Sequence, residues 1–377
     1  MYILTELPHL KLGVIWAKSR MKWPVFVSDD GTSIICYSGQ SAIYNAIRAL
    51  RIYSPGEVLM PSYHCGAEVT PVEATGLDPV FYRVDANVQV DLADIENRIT
   101  KKTKALYLTH FFGFPGPVEE MAALARHHQL PLIEDCAPAL FSQHMGRFLG
   151  TWGQSAIFSL TKNIPAPDGG LLRLAPDQDI DYPKLFNIPG SEKARLVKRI
   201  MAGILKRFLK ISEPVGESDL NELESVSEGE NSFDTKYANW TASWLTKRVL
   251  RSLNWQEVVS RRRTNYQTLL HMLEPFYGND MKPLYNDLPE GVCPWMIPFK
   301  VSNPLYLKAA LRTYGIGAVA VWSYFHSRFS PEEFPEAVEL KRTVLALPIH
   351  QNLLERDMFR IARTLGVILT QGPISFR

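Results

Sequence analysis

The chain is poor in cysteine, nearly balanced in charge and without a long apolar run. Its four cysteines, Cys36, Cys65, Cys136 and Cys293, have no C-x-x-C spacing. That argues against a disulfide framework or a zinc site and for a reduced, cytoplasmic chain. Lys and Arg total 41 against 39 Asp and Glu, a formal net charge of +2, so no dedicated nucleic-acid surface is expected. The run Arg261, Arg262, Arg263 reads instead as the solvated face of a helix. No stretch reaches membrane-spanning length, and no membrane insertion is expected. The opening "MYILTELPHLKLGVIWAKSR" lacks the basic-then-apolar order of a secretory signal. No histidine cluster has metal-ligand spacing, and no metal is expected. The N-W-T at Asn239 has the form of a glycosylation sequon, which carries no weight in a cytoplasmic chain.

What is present is an ordinary globular composition, 46% hydrophobic and 21% charged over 377 residues. It is long enough for two or three structural units with a large core. From about residue 33 to 174, short apolar runs alternate with helical patterns, the mark of an α/β fold with a mainly parallel sheet. "SIICY" reads as a strand, and "SAIYNAIRAL" after it has apolar residues at helical spacing, Ala42, Ile43, Ala46, Ile47 and Leu50. "KALYLTH", a helix "PVEEMAALARHHQ" and the strand "LPLIED" follow. Residues 176–235 change character. "KARLVKRIMAGILKRFLK" reads as a basic amphipathic helix packed on the body of the protein, and the Ser- and Glu-rich stretch after it as a loop or mobile segment. Strands and helices alternate again toward the end. The expected division is 1–245, an N-terminal segment and large domain with 200–235 atypical, and 246–377, a connecting helix and smaller α/β domain.

Three features fall at strand ends, where parallel α/β sheets place ligands. In "CYSGQSAIYNA" the strand stops near Ser38, Gly39 permits a tight turn, and a helix starts near Ser41. Helix-start amides beside small polar side chains suit a phosphate, although an ordinary capped turn has the same look. Asp135 ends an apolar strand, where a carboxylate needs a cation or hydrogen-bond donors; loop amides could equally supply them. Lys162 follows "SAIFS" in the stretch "FSLTKNIPAPDGG". A lysine partly removed from water can condense with an aldehyde, and a salt bridge to Asp168 is the plainer alternative. Together, phosphate turn, acid and lysine describe one ligand. Pyridoxal 5'-phosphate has a phosphate, a ring nitrogen that an Asp keeps protonated, and an aldehyde for a lysine.

The order of these motifs resembles the DegT/DnrJ/EryC1/StrS family of pyridoxal-phosphate enzymes, which mostly aminate keto sugars on nucleotides. "SGQSAIYNAIRAL" is similar to the family's phosphate turn. "PSYHCGAEVTPVEATGLDPVFYRVD", "THFFGFPGPVEEMAALARHHQLPLIEDCAPAL", "FSLTKNIPAPDGG", "GIGAVAVW" and "LALPIHQNLLERDMFRIA" resemble further family segments in the same order. The likeness spans about residues 30 to 370, interrupted at 176–235. It implies the fold type I architecture, a large domain with a mainly parallel sheet flanked by helices and a smaller C-terminal α/β domain.

The resemblance further implies that Lys162 carries the cofactor and later moves a proton, while Asp135 pairs with the ring nitrogen. It assigns the phosphate to Gln40 and Ser41, on the turn made by Gly39, together with Ser159. It makes Asn239 the residue that reaches the phosphate site of a partner subunit, and so implies a homodimer with shared sites. The chain departs from the family in four places. Pro138 stands where a Gln partners the cofactor, and Cys65 where an aromatic stacks on its ring, which leaves neighbouring His64 as the expected stacking group. Ser159 lies closer to the lysine than usual, and Thr241 replaces an Arg. His110 matches a family position near the site, whereas His326 is expected at the surface and His127 and His128 at a helix end.

The implied activity is an aminotransferase moving an amino group from an amino acid, glutamate by family habit, to a nucleotide-linked keto sugar. Two alternatives stand beside it: a pyridoxal-phosphate enzyme of another outcome, such as a sugar dehydratase, and a non-catalytic binding module. Lys162 speaks against the dehydratase branch, where histidine takes its place.

Overall fold

The computed structural model describes residues 4–9 and 33–371, except 177–179, 182, 192–193, 195–196, 199–232, 279 and 324. Nearly all of the basic helix and the whole acidic stretch expected around 193–232 therefore lie outside the described residues. Seven strands build the main sheet: β1 (Ser33–Cys36), β2 (Glu57–Pro61), β3 (Asp78–Tyr82), β4 (Thr103–Thr109), β5 (Leu132–Asp135), β8 (Ser155–Ser159) and β9 (Gly170–Leu174). The short pair β6 (Gln143–His144) and β7 (Arg147–Phe148) forms a separate antiparallel ribbon. The order in the main sheet is β1-β9-β8-β5-β4-β2-β3.

Five strands of this sheet pair in parallel, β8-β5-β4-β2-β3, and β9 runs against both its neighbours. That single reversal makes β1 codirectional with β8 and β5. The carboxyl ends of β1, β5 and β8 consequently emerge on one edge of the sheet, carrying Ser38, Asp135 and Lys162 with them. A parallel core explains the strand composition: Leu106, Tyr107 and Leu108 are all fully buried, as strands covered on both faces must be.

The connections are helical where the spacing predicts it. α1 (Gly39–Ala49) joins β1 to β2 and buries Ala42, Ile43, Ala46 and Ile47, while Leu50 closes its C-terminus. Each fully buried Ile contributes about 1.5–3 kcal/mol. α2 (Val69–Glu73), α3 (Leu92–Arg98) and α4 (Val118–His127) complete the next three crossovers, and the short α5 (Leu160–Asn163) follows β8 directly. His127 and His128 lie at the end of α4, His127 exposed and His128 half-buried.

Beyond residue 233 the chain forms α6 (Trp244–Ser252) and α7 (Trp255–Leu273), then a four-stranded antiparallel sheet. Its strands are β10 (Met281–Pro283), β11 (Ile297–Val301), β12 (Val319–Ala320) and β13 (Val344–Leu347), in the order β10-β11-β13-β12. α8 (Pro304–Thr313), α9 (Pro335–Thr343) and α10 (Glu355–Gln371) accompany it, and α10 packs along α7. One expectation fails on α7. Arg262 is not solvated but fully buried, in phase with Val258, Asn265, Tyr266, Leu269 and Leu273 on the inner face of the helix. No helix among the described residues is long and apolar enough to cross a membrane.

Candidate active site

A cavity of about 220 Å³ opens at the shared strand edge, and Ser38, Gly39, Gln40, Asp135, Ser159 and Lys162 contribute to its lining. At one end, Ser38 is the N-cap of α1. Its backbone is extended, and its Oγ accepts from Ser41 N at 3.1 Å. The first backbone bond of the helix runs from Ala42 N to Ser38 O at 3.0 Å. The amides of Gly39 and Gln40 come before it, and no acidic residue occupies the first turn. An eleven-residue helix with this start presents a partial positive charge and N–H donors to an anion.

Asp135 lies further in, 5% exposed. Its Oδ1 accepts from Ala137 N at 2.8 Å, and its Oδ2 from the Tyr107 hydroxyl at 2.9 Å. Burial first, and then the nearby Glu68, push its carboxyl up to about 6, against the opposing pull of Lys162 and the two hydrogen bonds. A cationic ring nitrogen at this place would relieve that penalty.

Lys162 sits in the single turn of α5, and its Nζ is 5.0 Å from the ring centroid of Trp295. The alternative salt bridge to Asp168 is not made. That carboxylate is buried and accepts instead from Ser243 N and Oγ, each at 3.1 Å, and from Thr246 Oγ1. The lysine turn is held from below. Asn163 Nδ2 donates to Ala137 O at 2.7 Å and to Ser159 O at 3.0 Å, and Arg262 Nη2 donates to Asn163 O at 2.9 Å. Arg262 also donates to Gln351 Oε1 (3.0 Å), Pro294 O (3.1 Å) and Trp295 O (2.8 Å). An anion-binding helix start, a destabilised carboxylate and a primary amine thus meet at one open cavity, and the residues present fit pyridoxal 5'-phosphate.

The profile of the DegT/DnrJ/EryC1/StrS aminotransferase family matches residues 26–366. The chain belongs to this family. GDP-perosamine synthase of Escherichia coli O157:H7 is 36% identical over 138 residues, which are 36% of this chain and 38% of that protein. That match spans well under half of either. The spore coat polysaccharide biosynthesis protein SpsC of Bacillus subtilis is 24% identical over 337 residues, 84% of this chain and 80% of the other. Among solved structures, the aminotransferase TlmJ from Streptoalloteichus hindustanus shares the fold, with a TM-score of 0.67 at 21% identity. The superposition covers 98% of this chain and 99% of that one.

In this member of the DegT/DnrJ/EryC1/StrS family, two expected ligands are displaced. His64 does not line the cavity. Its ring is fully buried and stacks on Phe81 of β3 at 4.5 Å and 12°, with Nδ1 3.2 Å from Pro61 O. Burial, and secondarily the Lys341 charge, hold the imidazole well below its usual range. The aromatic packing on the far side of the loop takes the histidine, and Cys65 and Glu68 face the cavity in its stead. Ser41 is likewise turned inward: it is buried, and its Oγ donates to Tyr237 O at 3.1 Å. The serine of this turn that lines the cavity is Ser38, and its place directly before the helix start is the available signal. Gln40 lines the cavity with its Nε2 donating to Thr70 Oγ1 at 3.2 Å. Ser159 shares a 3.2 Å hydrogen bond with Thr161, a lining residue the motif had not marked.

Asn239 is exposed, and its carbonyl accepts from Phe186 N at 2.7 Å; it does not line the cavity of its own chain. Thr241 Oγ1 donates to Ile35 O at 2.8 Å, tying that segment to β1. His110 is buried behind the sheet edge. It receives Gly116 N on Nδ1 at 3.1 Å and sets Nε2 3.2 Å from Glu134 Oε2. With Glu134 and Cys136 it forms a tight group within 4.8 Å. Glu134 already accepts from Gly150, Trp152 and Gly153 amides at 2.6–2.8 Å, so this group is a hydrogen-bonded anchor of the β5 end. His326 is not at the surface as expected: its side chain is 9% exposed and pairs with Glu73 at 3.5 Å, away from the cavity lining.

Proposed function

We propose that the chain is a pyridoxal-phosphate aminotransferase that moves an amino group from an amino acid, glutamate first among candidates, to a keto sugar carried on a nucleotide. The observation that carries this reading is the convergence of Lys162, Asp135 and the start of α1 on one cavity. Family membership and the names of the sugar-processing relatives support the substrate class.

In this reading the amides of Gly39 and Gln40 and the hydroxyls of Ser38, Ser159 and Thr161 hold the cofactor phosphate. Asp135, oriented by Tyr107 and the Ala137 amide, keeps the ring nitrogen protonated. Bound pyridoxal phosphate supplies an electron sink, which lets a proton leave the carbon next to the reacting nitrogen. Lys162 first carries the cofactor and then, as a free amine, holds and returns that proton. The Trp295 ring covers one approach to the lysine nitrogen and keeps water from it. Exposed Asn239 is suited to complete the site of a second copy, so the working unit is a homodimer in the cytoplasm. The division at 245/246 places the cofactor groups in the first unit and leaves the second to shape the substrate entrance.

The test is a visible absorbance spectrum of the purified protein with added pyridoxal phosphate, before and after glutamate. A band that glutamate converts to the near-ultraviolet absorbance of the aminated cofactor supports the reading; Lys162→Ala abolishes the first band. A protein that develops no band and retains no covalently bound cofactor after borohydride reduction is a binding module instead.

A further inference from the structure

The cavity holds a second buried carboxylate that the cofactor motifs do not use. Glu68 is 4% exposed and lines the same wall as Cys65. Cys65 N donates to its Oε1 at 3.0 Å, and Cys65 Sγ donates to its Oε2 at 2.7 Å. Both oxygens accept, which is the arrangement of an anion held in one orientation. The thiol keeps its proton, because burial and the neighbouring Glu68 both push the Cys65 sulfur upward. The sulfur is therefore the donor of this bond and Glu68 Oε2 its acceptor.

With the cofactor ring on Asp135 and its phosphate at α1, Glu68 is the one acidic side chain of the lining left without a cationic partner from the ligand, and Lys162 is the one basic side chain. Glu68 and Lys162 line the same cavity of about 220 Å³ together with Cys65 and Asp135, so the four groups stand within electrostatic reach of one another. The Trp295 ring face also favours a cation at Lys162. Tyr107 stands behind Asp135, while buried Lys341 of α9 and His326 stand behind Glu68. Lys341 donates to the carbonyls of His64 and Trp322, and the Glu68 charge also favours its cationic form against burial.

We propose that Glu68, fixed by Cys65, keeps the Lys162 nitrogen protonated in the cofactor-loaded protein. The inference rests on reading the site as one that holds pyridoxal phosphate. A fixed carboxylate near this nitrogen favours its cationic form and so sets the upper pH limit over which the loaded site is reactive. The residue acts on a proton, in addition to any contact with substrate.

The experiment is a pH titration of the visible band of the reconstituted holoprotein, with no substrate present. Glu68→Gln lowers the midpoint by about one pH unit or more while the band persists. Glu68→Ala, which removes the charge without adding an amide, gives the same direction should the Gln variant fail to fold. Cys65→Ser keeps a donor to Glu68 and stays close to the unsubstituted midpoint. A midpoint unchanged in the Gln or Ala variant, with the band intact, overturns the proposal, since a merely structural role would alter thermal stability alone. An unsubstituted protein that forms no band overturns the cofactor reading itself, and this inference with it.

Discussion

Arg262 Nη2 donates to the carbonyl of Asn163 at 2.9 Å, one residue past Lys162, and thereby ties α7 to the turn that carries the amine. The guanidinium is fully buried, and burial pulls it down to about 10. Its hydrogen-bond acceptors are four neutral groups: the carbonyls of Asn163, Pro294 and Trp295, and the side chain of Gln351. It works as a multiple donor across a junction of three segments.

Arg262→Met is expected to leave several buried acceptors unsatisfied and to cost about 3 kcal/mol or more. Urea denaturation of the cofactor-free protein measures this loss. Arg262→Lys restores the charge but not the planar fork, and should recover less than half of it. An Arg262→Met variant as stable as the parent would show that the junction closes without the guanidinium.

Asp135 gives the cofactor-free protein a definite pH dependence. Its folded value of about 6 lies above an unfolded value of about 3.9. Between those values the folded chain binds the extra proton, so the contribution of Asp135 to stability is fully present below about 4 and is lost as pH rises through about 6. Asp135→Asn lacks this fall. Urea midpoints at pH 4.5 and 7.5 should therefore diverge, with the variant gaining on the order of 2 kcal/mol relative to the parent at the higher pH. Equal pH slopes in the two proteins would contradict the penalty assigned to this carboxyl.

Ser38 has two duties that one substitution separates by magnitude. Ser38→Ala removes the cap from Ser41 N and should cost about 1 kcal/mol of stability. It also removes a lining hydroxyl, so pyridoxal-phosphate affinity should fall several-fold, read by fluorescence titration. Ser38→Asp keeps a capping oxygen but adds negative charge at the anion site; stability should largely return while affinity drops further.

These expectations draw on features that the sequence discloses unevenly. Asp135 and Lys162 were legible because a charged residue after an apolar strand is chemically conspicuous, and codirectional strands bring such ends to one edge. The helix start is legible from its glycine and small polar residues, whereas the choice of Ser38 over Ser41 as the lining serine is not. Which of two serines three positions apart turns outward is decided by the capping bond and not by composition. The loop from His64 to Glu68 offers no periodicity, so only packing against Phe81 reveals that the histidine faces the core and Cys65 the cavity. Arg262 is a different case. Three successive arginines suggest solvent, but the phase set by Val258, Tyr266 and Leu269 puts the middle one inside.

The reversed strand β9 closes the site from beneath. Gly169 N donates to Tyr37 O at 2.8 Å, and Leu160 N donates to Gly169 O at 3.1 Å. Gly169 adopts a φ of +110°, and a Cβ on Gly170 would collide with the backbone of Ser38 and Gly39. The segment that follows β1 and the segment that follows β8 are therefore locked to the same glycine pair, despite their distance along the chain. They can drift only in step. A chimaera that exchanges the lysine loop with that of a relative should keep its cofactor only when the residues around Ser38 travel with it, because inheritance acts on the two as one part.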